Sequence, residues 1–172
     1  MKLRNELGCP ENWASELDKM MLLSRTDTPR PKAYICSPCR AESRNGVYGN
    51  MMAARYYMFY AYNNMSVYPF APYAYLPVML NDKNPDERAF ALKFGLELLS
   101  IVDMVIVCGN QLTDGMRGEI LRAVELGIIV ITLAANVYEN IKKITNDELI
   151  QFCDKHTQLS LNAKQIFQEE LL

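Results

Sequence analysis

The sequence predicts a single α/β domain, a three-layer sandwich around a parallel, doubly wound sheet of four to five strands, with helical extensions at both ends. Three observations lead there. Short apolar runs bounded by turn signals recur at 33–36, 67–70, 104–108 and 128–133, and a strand buried on both faces reads that way. Helix-period segments fall between them at 48–62, 85–101 and 114–126. Strands alternating with helices indicate βαβ units. Finally, 172 residues, half of them apolar and 22% charged, suit one domain with a sizeable core.

Residues 1–30 read as an appendage. Pro10-Glu11-Asn12 opens a helical stretch with Trp13, Leu17, Met20 and Met21 near one face, and 26–31 is a polar, proline-bearing connector. A first strand follows at 33–36, where Tyr34 and Ile35 are strand formers, and then a polar loop over 37–46. The segment 48–62 carries the helix formers Met51, Met52, Ala54, Arg55 and Met58, and its density of tyrosine and methionine suggests cover on more than one side.

A second strand at 67–70 gives way to Ala71-Pro72-Tyr73. The helix 85–101 opens with Pro85, Asp86 and Glu87 at its positive end and is expected to turn Phe90, Phe94, Leu98 and Ile101 toward the core. Strand 104–108 leads through a turn to helix 114–126, with Gly127 as its C-terminal stop, and strand 128–133 follows. The remainder, 138–172, reads as two or three helices, with Thr145 capping Asp147-Glu148. The division expected is therefore 1–30, an α/β domain over 31–136, and C-terminal helices over 137–172.

Composition removes several functions. A net charge of −2 and a pI near 5.5 leave no electrostatic footprint for nucleic acid. No apolar run reaches the roughly 20 residues of a membrane-spanning helix, and the N-terminus lacks the apolar core of a signal peptide. A cytoplasmic location, with neither nucleic acid nor membrane as partner, is the expectation. The single histidine, His156, argues against a Ser-His-Asp triad and against zinc chemistry of the H-E-x-x-H kind. Acid–base and nucleophilic work would fall to carboxylates, tyrosines or thiols.

The five cysteines suit a reducing compartment. Cys36 and Cys39 form a C-x-x-C that a dithiol redox pair or half a zinc site would use. Zinc would need two more ligands, and Cys9, Cys108, Cys153 and His156 are isolated in sequence. A redox pair would want a helix starting at the motif, where 40–46 reads as loop. The simpler reading is of small residues lining a loop, and no metal or cofactor is expected.

In open α/β sheets ligands bind outside the carboxyl ends of the strands. Three loops leave those ends. The first offers Ser37, Pro38, Arg40 and Asn50 beyond Tyr34, the second Pro72 and Tyr73, the third Asp114, Gly115, Met116 and Glu119. From spacing alone, Thr113 or Asp114 caps the helix and Glu119 completes its first turns. The same helix N-terminus suits an anion, its glycines allow close approach, and tyrosine faces suit a base.

Tyr34-Ile35-Cys36-Ser37-Pro38, the segment from Asn50 with Ala53 and Ala54, Pro69-Phe70-Ala71-Pro72, Pro85-Asp86-Glu87-Arg88, Gly95-Leu96-Glu97-Leu98-Leu99, Asp103, Gly115-Met116-Arg117-Gly118-Glu119-Ile120, Ala123 and Leu126-Gly127-Ile128 occur in that order. The set resembles the nucleoside 2-deoxyribosyltransferase-like superfamily, in its uncharacterised bacterial and phage branch, over about residues 33–133. The resemblance implies a flavodoxin/Rossmann-like fold and an enzyme that cleaves or transfers at an N-glycosidic bond without a cofactor. It implies Glu119 as nucleophile, from the Gly-x-x-x-Glu of 115–119, with the phenol of Tyr34 orienting it. Ser37, Pro38, Arg40, Asn50, Pro72, Tyr73, Asp114, Gly115 and Met116 would line a nucleoside or nucleotide site. It also implies a homo-oligomer, a dimer or higher, since a neighbouring subunit often completes such sites.

Two positions depart from the pattern. Characterised transferases carry an aspartate where this chain has Gly95, with Glu97 the nearest acid, and closer relatives show Pro-His where it has Pro72-Tyr73. The alternative is a non-catalytic module of the same fold that binds a nucleotide or nucleotide-derived signal, as in phage or defence settings. A third reading makes 48–62 an oligomer interface.

Overall fold

The structure, a computed structural model, describes residues 30–156. The expected N-terminal helix, and any helix beyond residue 156, lie outside the described residues. The elements in chain order are β1 (Lys32–Cys36), α1 (Arg44–Asn64), β2 (Tyr68–Phe70), a 3-10 turn (Pro72–Ala74), α2 (Leu76–Met79), α3 (Pro85–Leu99), β3 (Met104–Val107), α4 (Asp114–Glu125), β4 (Ile129–Thr132), α5 (Ala135–Ile144), β5 (Ile150–Phe152) and a closing turn (Asp154–His156).

All strand pairs are parallel and the sheet order is β2-β1-β3-β4-β5. The order reverses between β1 and β3, which creates a crevice at their carboxyl ends. Strand alternation splits the core into two layers. Tyr34, Cys36, Val105, Val107 and Val130 face one side, where Leu99 of α3, Met116, Ile120 and Ala123 of α4, and Val137 and Ile141 of α5 cover them. Ala33, Ile35 and Ile106 face the other, against Ala53, Ala54, Tyr57 and Ala61 of α1. The molecule is thus a three-layer α/β sandwich of the flavodoxin/Rossmann type. Among the described residues no helix is long and apolar enough to cross a membrane.

The helix ends follow their capping chemistry. Ser43 accepts from the Gly46 N–H and starts α1 at Arg44, ahead of the Tyr48 start suggested by treating 37–46 as loop. Asn84 caps α3 ahead of Pro85. Thr113 Oγ1 accepts from the Met116 N–H to cap α4. At the other end of α4, Gly127 sits at φ +72°. Its N–H reaches the Val124 carbonyl and the Ile128 N–H reaches Ala123, the paired bonds of a Schellman stop.

Two expectations are corrected. The chain after α5 carries a strand, not a helix, through 150–152. Asp147 Oδ1 accepts from the Leu149 N–H, an Asx turn that takes the donor a helical first turn would use and feeds the chain into β5. The face of α3 is also rotated from the one expected: Gly95 and Leu99 are buried, while Phe90 and Ile101 are more than half exposed. Gly95 explains the rotation, because it lets the helix backbone approach the groups described next.

Candidate active site

Glu119 lies on the inner face of α4, one helical step from Met116, Ile120 and Ala123, all of them core residues. It is 2% exposed, and among the described residues only Ser37 and Thr132 join it as buried polar or charged side chains. Its carboxylate is held unevenly. Oε1 accepts from the Tyr34 hydroxyl at 2.8 Å and from the Tyr73 hydroxyl at 2.5 Å, whereas Oε2 has no hydrogen-bond partner.

The three side chains arrive from different parts of the fold. Tyr34 points from the centre of β1, the strand beside the switch point, and is fully buried. Tyr73 comes from the 3-10 turn after β2, whose Pro72 fits the first turn position. Arg55 of α1 holds that turn through a 3.0 Å bond from Nε to the Ala74 carbonyl. Beneath them runs α3: a Cβ on Gly95 would stand 3.0 Å from the Tyr34 hydroxyl, 3.3 Å from Glu119 Oε1 and 3.5 Å from the Tyr73 hydroxyl. The missing aspartate of the resemblance is therefore a place where the helix itself touches the cluster.

Burial raises the pKa of Glu119, and the hydroxyls of Tyr73 and Tyr34, with the Cys36 thiol after them, pull it partly back down. The phenols respond in the opposite sense. Burial first, then the adjacent carboxylate, holds both Tyr34 and Tyr73 well above the ordinary phenol value, so they remain neutral donors. Cys36, at the end of β1, is fully buried beside the same carboxylate, and its thiol is pushed up by burial and by Glu119. Cys36 is thus the buried last residue of β1, as the strand expected over 33–36 has it, and does not line the loop. Cys39 does lie in the loop, pushed up to about 12 mainly by burial, and both thiols are free.

The remaining expected residues divide. Ser37 is 2% exposed at the carboxyl end of β1, and its Oγ has no partner. Pro72 is buried in the turn that delivers Tyr73. Gly115 stands four residues before Glu119, on the same side of α4, with open space where a side chain would be. Met116 puts its side chain into the core.

Asn50 clasps the loop, donating to the carbonyls of Cys39 and Arg40. Pro38 packs against Gly109. Asp114 points to solvent near Arg117. Arg40 is exposed and pairs at 3.7 Å with Asp82, which also takes a close bidentate contact from Arg88. No site role follows from the sequence for Asp82 or Arg88, and Gly95 is marked there only as part of the resemblance and as the place of a missing acid. The available signal for Gly95 was a glycine inside a helix, a choice that costs about 1 kcal/mol against alanine unless something needs the space. Among the described residues no three His, Cys, Asp or Glu side chains gather to hold a metal.

Residues 31–133 match the model of a family described as a domain of unknown function, DUF7768. The match takes in more than half of the chain, which therefore belongs to that family. No curated protein matches the chain.

Proposed function

We propose, for a chain whose family has no assigned activity, that it cleaves or transfers at the N-glycosidic bond of a nucleoside or nucleotide with Glu119 as nucleophile. The observation that carries the reading is the uneven carboxylate: both phenols on Oε1, no partner on Oε2. A carboxyl buried for structure alone would have both oxygens satisfied. A nucleophile needs one oxygen fixed and the other bare.

Oε2 attacks the anomeric carbon, and the base leaves with the electrons of the C–N bond. Charge lost from the carboxylate is matched by the weakening of the two phenol hydrogen bonds, and the oxocarbenium-like transition state is stabilised by the carboxylate beside it. Water or a second base then attacks the same carbon and frees Glu119. In hydrolysis the proton of the water ends on the departed base; in transfer one base replaces another. Ser37 Oγ and the open side of α4 at Gly115 supply a donor and room for the sugar or its phosphate. We further propose that the protein acts as a homo-oligomer.

A second reading keeps the ligand and drops the chemistry: a nucleotide-binding module. It is favoured by Gly95, because the close fit of α3 leaves no space for a second acid at that position. A chromatographic screen for free base separates the two. Deoxy- and ribonucleosides and their 5′-monophosphates are incubated with wild type and Glu119→Gln. Base release by wild type alone supports the enzyme. No release, with a ligand-induced rise in melting temperature in both proteins, supports the module.

A further inference from the structure

The turn that delivers Tyr73 belongs to one layer of the sandwich, and the carboxylate its hydroxyl meets belongs to the other. Ala71, Pro72, Tyr73, Ala74 and Leu76 are all buried. Ala71 and Ala74 pack with Ala54, Tyr57 and Ala61 in the layer that α1 covers. The Tyr73 hydroxyl reaches Glu119 of α4, the helix that covers the opposite face.

The turn does not place itself. It is three residues long and has no side-chain cap of its own, and the β2 strand before it is three residues at the edge of the sheet. A polar tie to a longer element comes from Arg55 of the 21-residue α1. Its Nε donates to the Ala74 carbonyl at 3.0 Å, and its Nη1 stands 3.6 Å from Met52 Sδ one turn earlier, which fixes the guanidinium. The phenol is backed from α3 as well, where a Cβ on Gly95 would stand 3.5 Å from its hydroxyl.

We propose that Arg55 is a positioning residue of the Glu119 site: its bond to the Ala74 carbonyl sets where the Tyr73 hydroxyl meets Oε1, and so keeps Oε2 the bare oxygen. The inference rests on reading Glu119 as the reacting group and extends the site to α1, across the sheet from it. Arg55 acts through Tyr73, not on the carboxylate itself. The titratable side chains facing Glu119 are Tyr34 and Cys36 of β1, Cys39 of the loop after it, and Tyr73, each pushed toward its neutral form by burial first. The penalty for ionising the buried carboxyl sets in between its ordinary 4.5 and its higher folded pKa, and that window reports how well its donors are placed.

The experiment is a pH series of melting temperatures for the full chain. Each variant is measured against the same variant carrying Glu119→Gln, so that the difference isolates the titration of Glu119. Arg55→Met and Arg55→Gln put a methyl group and an amide N–H as many bonds from Cα as the Arg55 Nε. A loosened donor raises the carboxyl pKa, so in Arg55→Met the window is expected to move upward by about half a pH unit or more. Arg55→Gln keeps a donor and loses the charge, and is expected to hold the window within about 0.2 unit of wild type. In a Tyr73→Phe background Arg55→Met is expected to move it no further, because no hydroxyl is left to place.

A wild-type window in folded Arg55→Met overturns the proposal. So does an equal upward move in Arg55→Gln, or one that persists without the Tyr73 hydroxyl, since either makes the charge of Arg55 the cause. Arg55→Lys decides if Arg55→Met fails to fold: it has a methylene where Nε stood, and a wild-type window there overturns the proposal equally. None of these readings needs turnover. A moved window without base release keeps the positioning role and removes the chemistry; base release by wild type with an unmoved window does the reverse. Where base is released, the acid limb of kcat/KM is expected to move with the window, and a limb that stays while the window moves overturns the proposal.

Discussion

Glu119 carries its charge where water does not reach, and the consequences are local and signed. Its pKa in the folded chain is raised above the ordinary 4.5, so the folded state holds the proton more tightly than the unfolded one. Stability therefore falls as pH rises from 4.5 through the folded value, and the penalty is complete above it. Glu119→Gln removes the titration. The melting-temperature difference between variant and wild type should move in the variant's favour across that window and level off above it, a trend absent if the carboxyl titrates normally. For activity the sign follows from the need for an ionised nucleophile. Tyr34→Phe deletes a 2.8 Å donor, raises the Glu119 pKa further, and should move the acid limb of kcat/KM to higher pH with a rate loss of about 10- to 100-fold. An unmoved limb would mean that Tyr34 does not tune the carboxylate. Gly95→Ala presses a methyl group to 3.0 Å from the Tyr34 hydroxyl. Helix propensity and crowding then oppose each other, so stability should change by less than about 1 kcal/mol while base release falls more than about tenfold. The pairing of Tyr34 with Glu119, a 2.8 Å hydrogen bond in the structure, was legible only through the family resemblance, because spacing alone reads Glu119 as completing the first turns of a capped helix. The role of Tyr73 was not, because it depends on a three-residue turn that no periodicity announces.

At the scale of elements, the strands and the principal helices were legible because their signals are redundant: apolar run, turn residue, cap and stop agree. Gly127 is the plainest case, a glycine at φ +72° closing α4 with nothing else near its Cβ position. Gly127→Ala should cost about 1 kcal/mol through the backbone alone, read as a lower urea midpoint at constant slope. The failures have a common physical form. The helix 85–101 was assigned its largest apolar residues as core, yet the side that docks is the one whose glycine allows contact with Tyr34 and Glu119. Close approach outweighed hydrophobic area. After α5, Asp147 looked like a helical first-turn acid, but its side chain closes a two-residue turn instead, and the local competition between those bonds decides strand against helix.

For the whole molecule, the strand order brings β1 and β3 together and sends β2 to one side and β4 to the other, so the loops after β1, β2 and β3 meet above the switch point. A parallel sheet order is not encoded in any local pattern; it follows from burying both faces with short connections. The same architecture bears on the assembly. Met58 and Tyr60 of α1, together with Tyr56, are half-buried and packed against the core layer on that side, which is core behaviour and removes the main reason to read α1 as an interface. Among the described residues the most exposed large apolar side chains lie elsewhere, at Val78 and Met79 of α2 and Phe90 of α3. If the protein is a homo-oligomer, these are the side chains whose burial would stabilise it. Sedimentation velocity on Met79→Asp and Phe90→Asp should then show a smaller species, down to the 19.7 kDa of one chain, at unchanged melting temperature extrapolated to low concentration. Tyr56→Asp or Tyr60→Asp should instead lower stability by about 1–3 kcal/mol, the scale of a charge forced against a packed layer, without selectively changing the mass. A wild type that already sediments at 19.7 kDa would remove the oligomer from the proposal and leave the Glu119 site to be completed within a single chain.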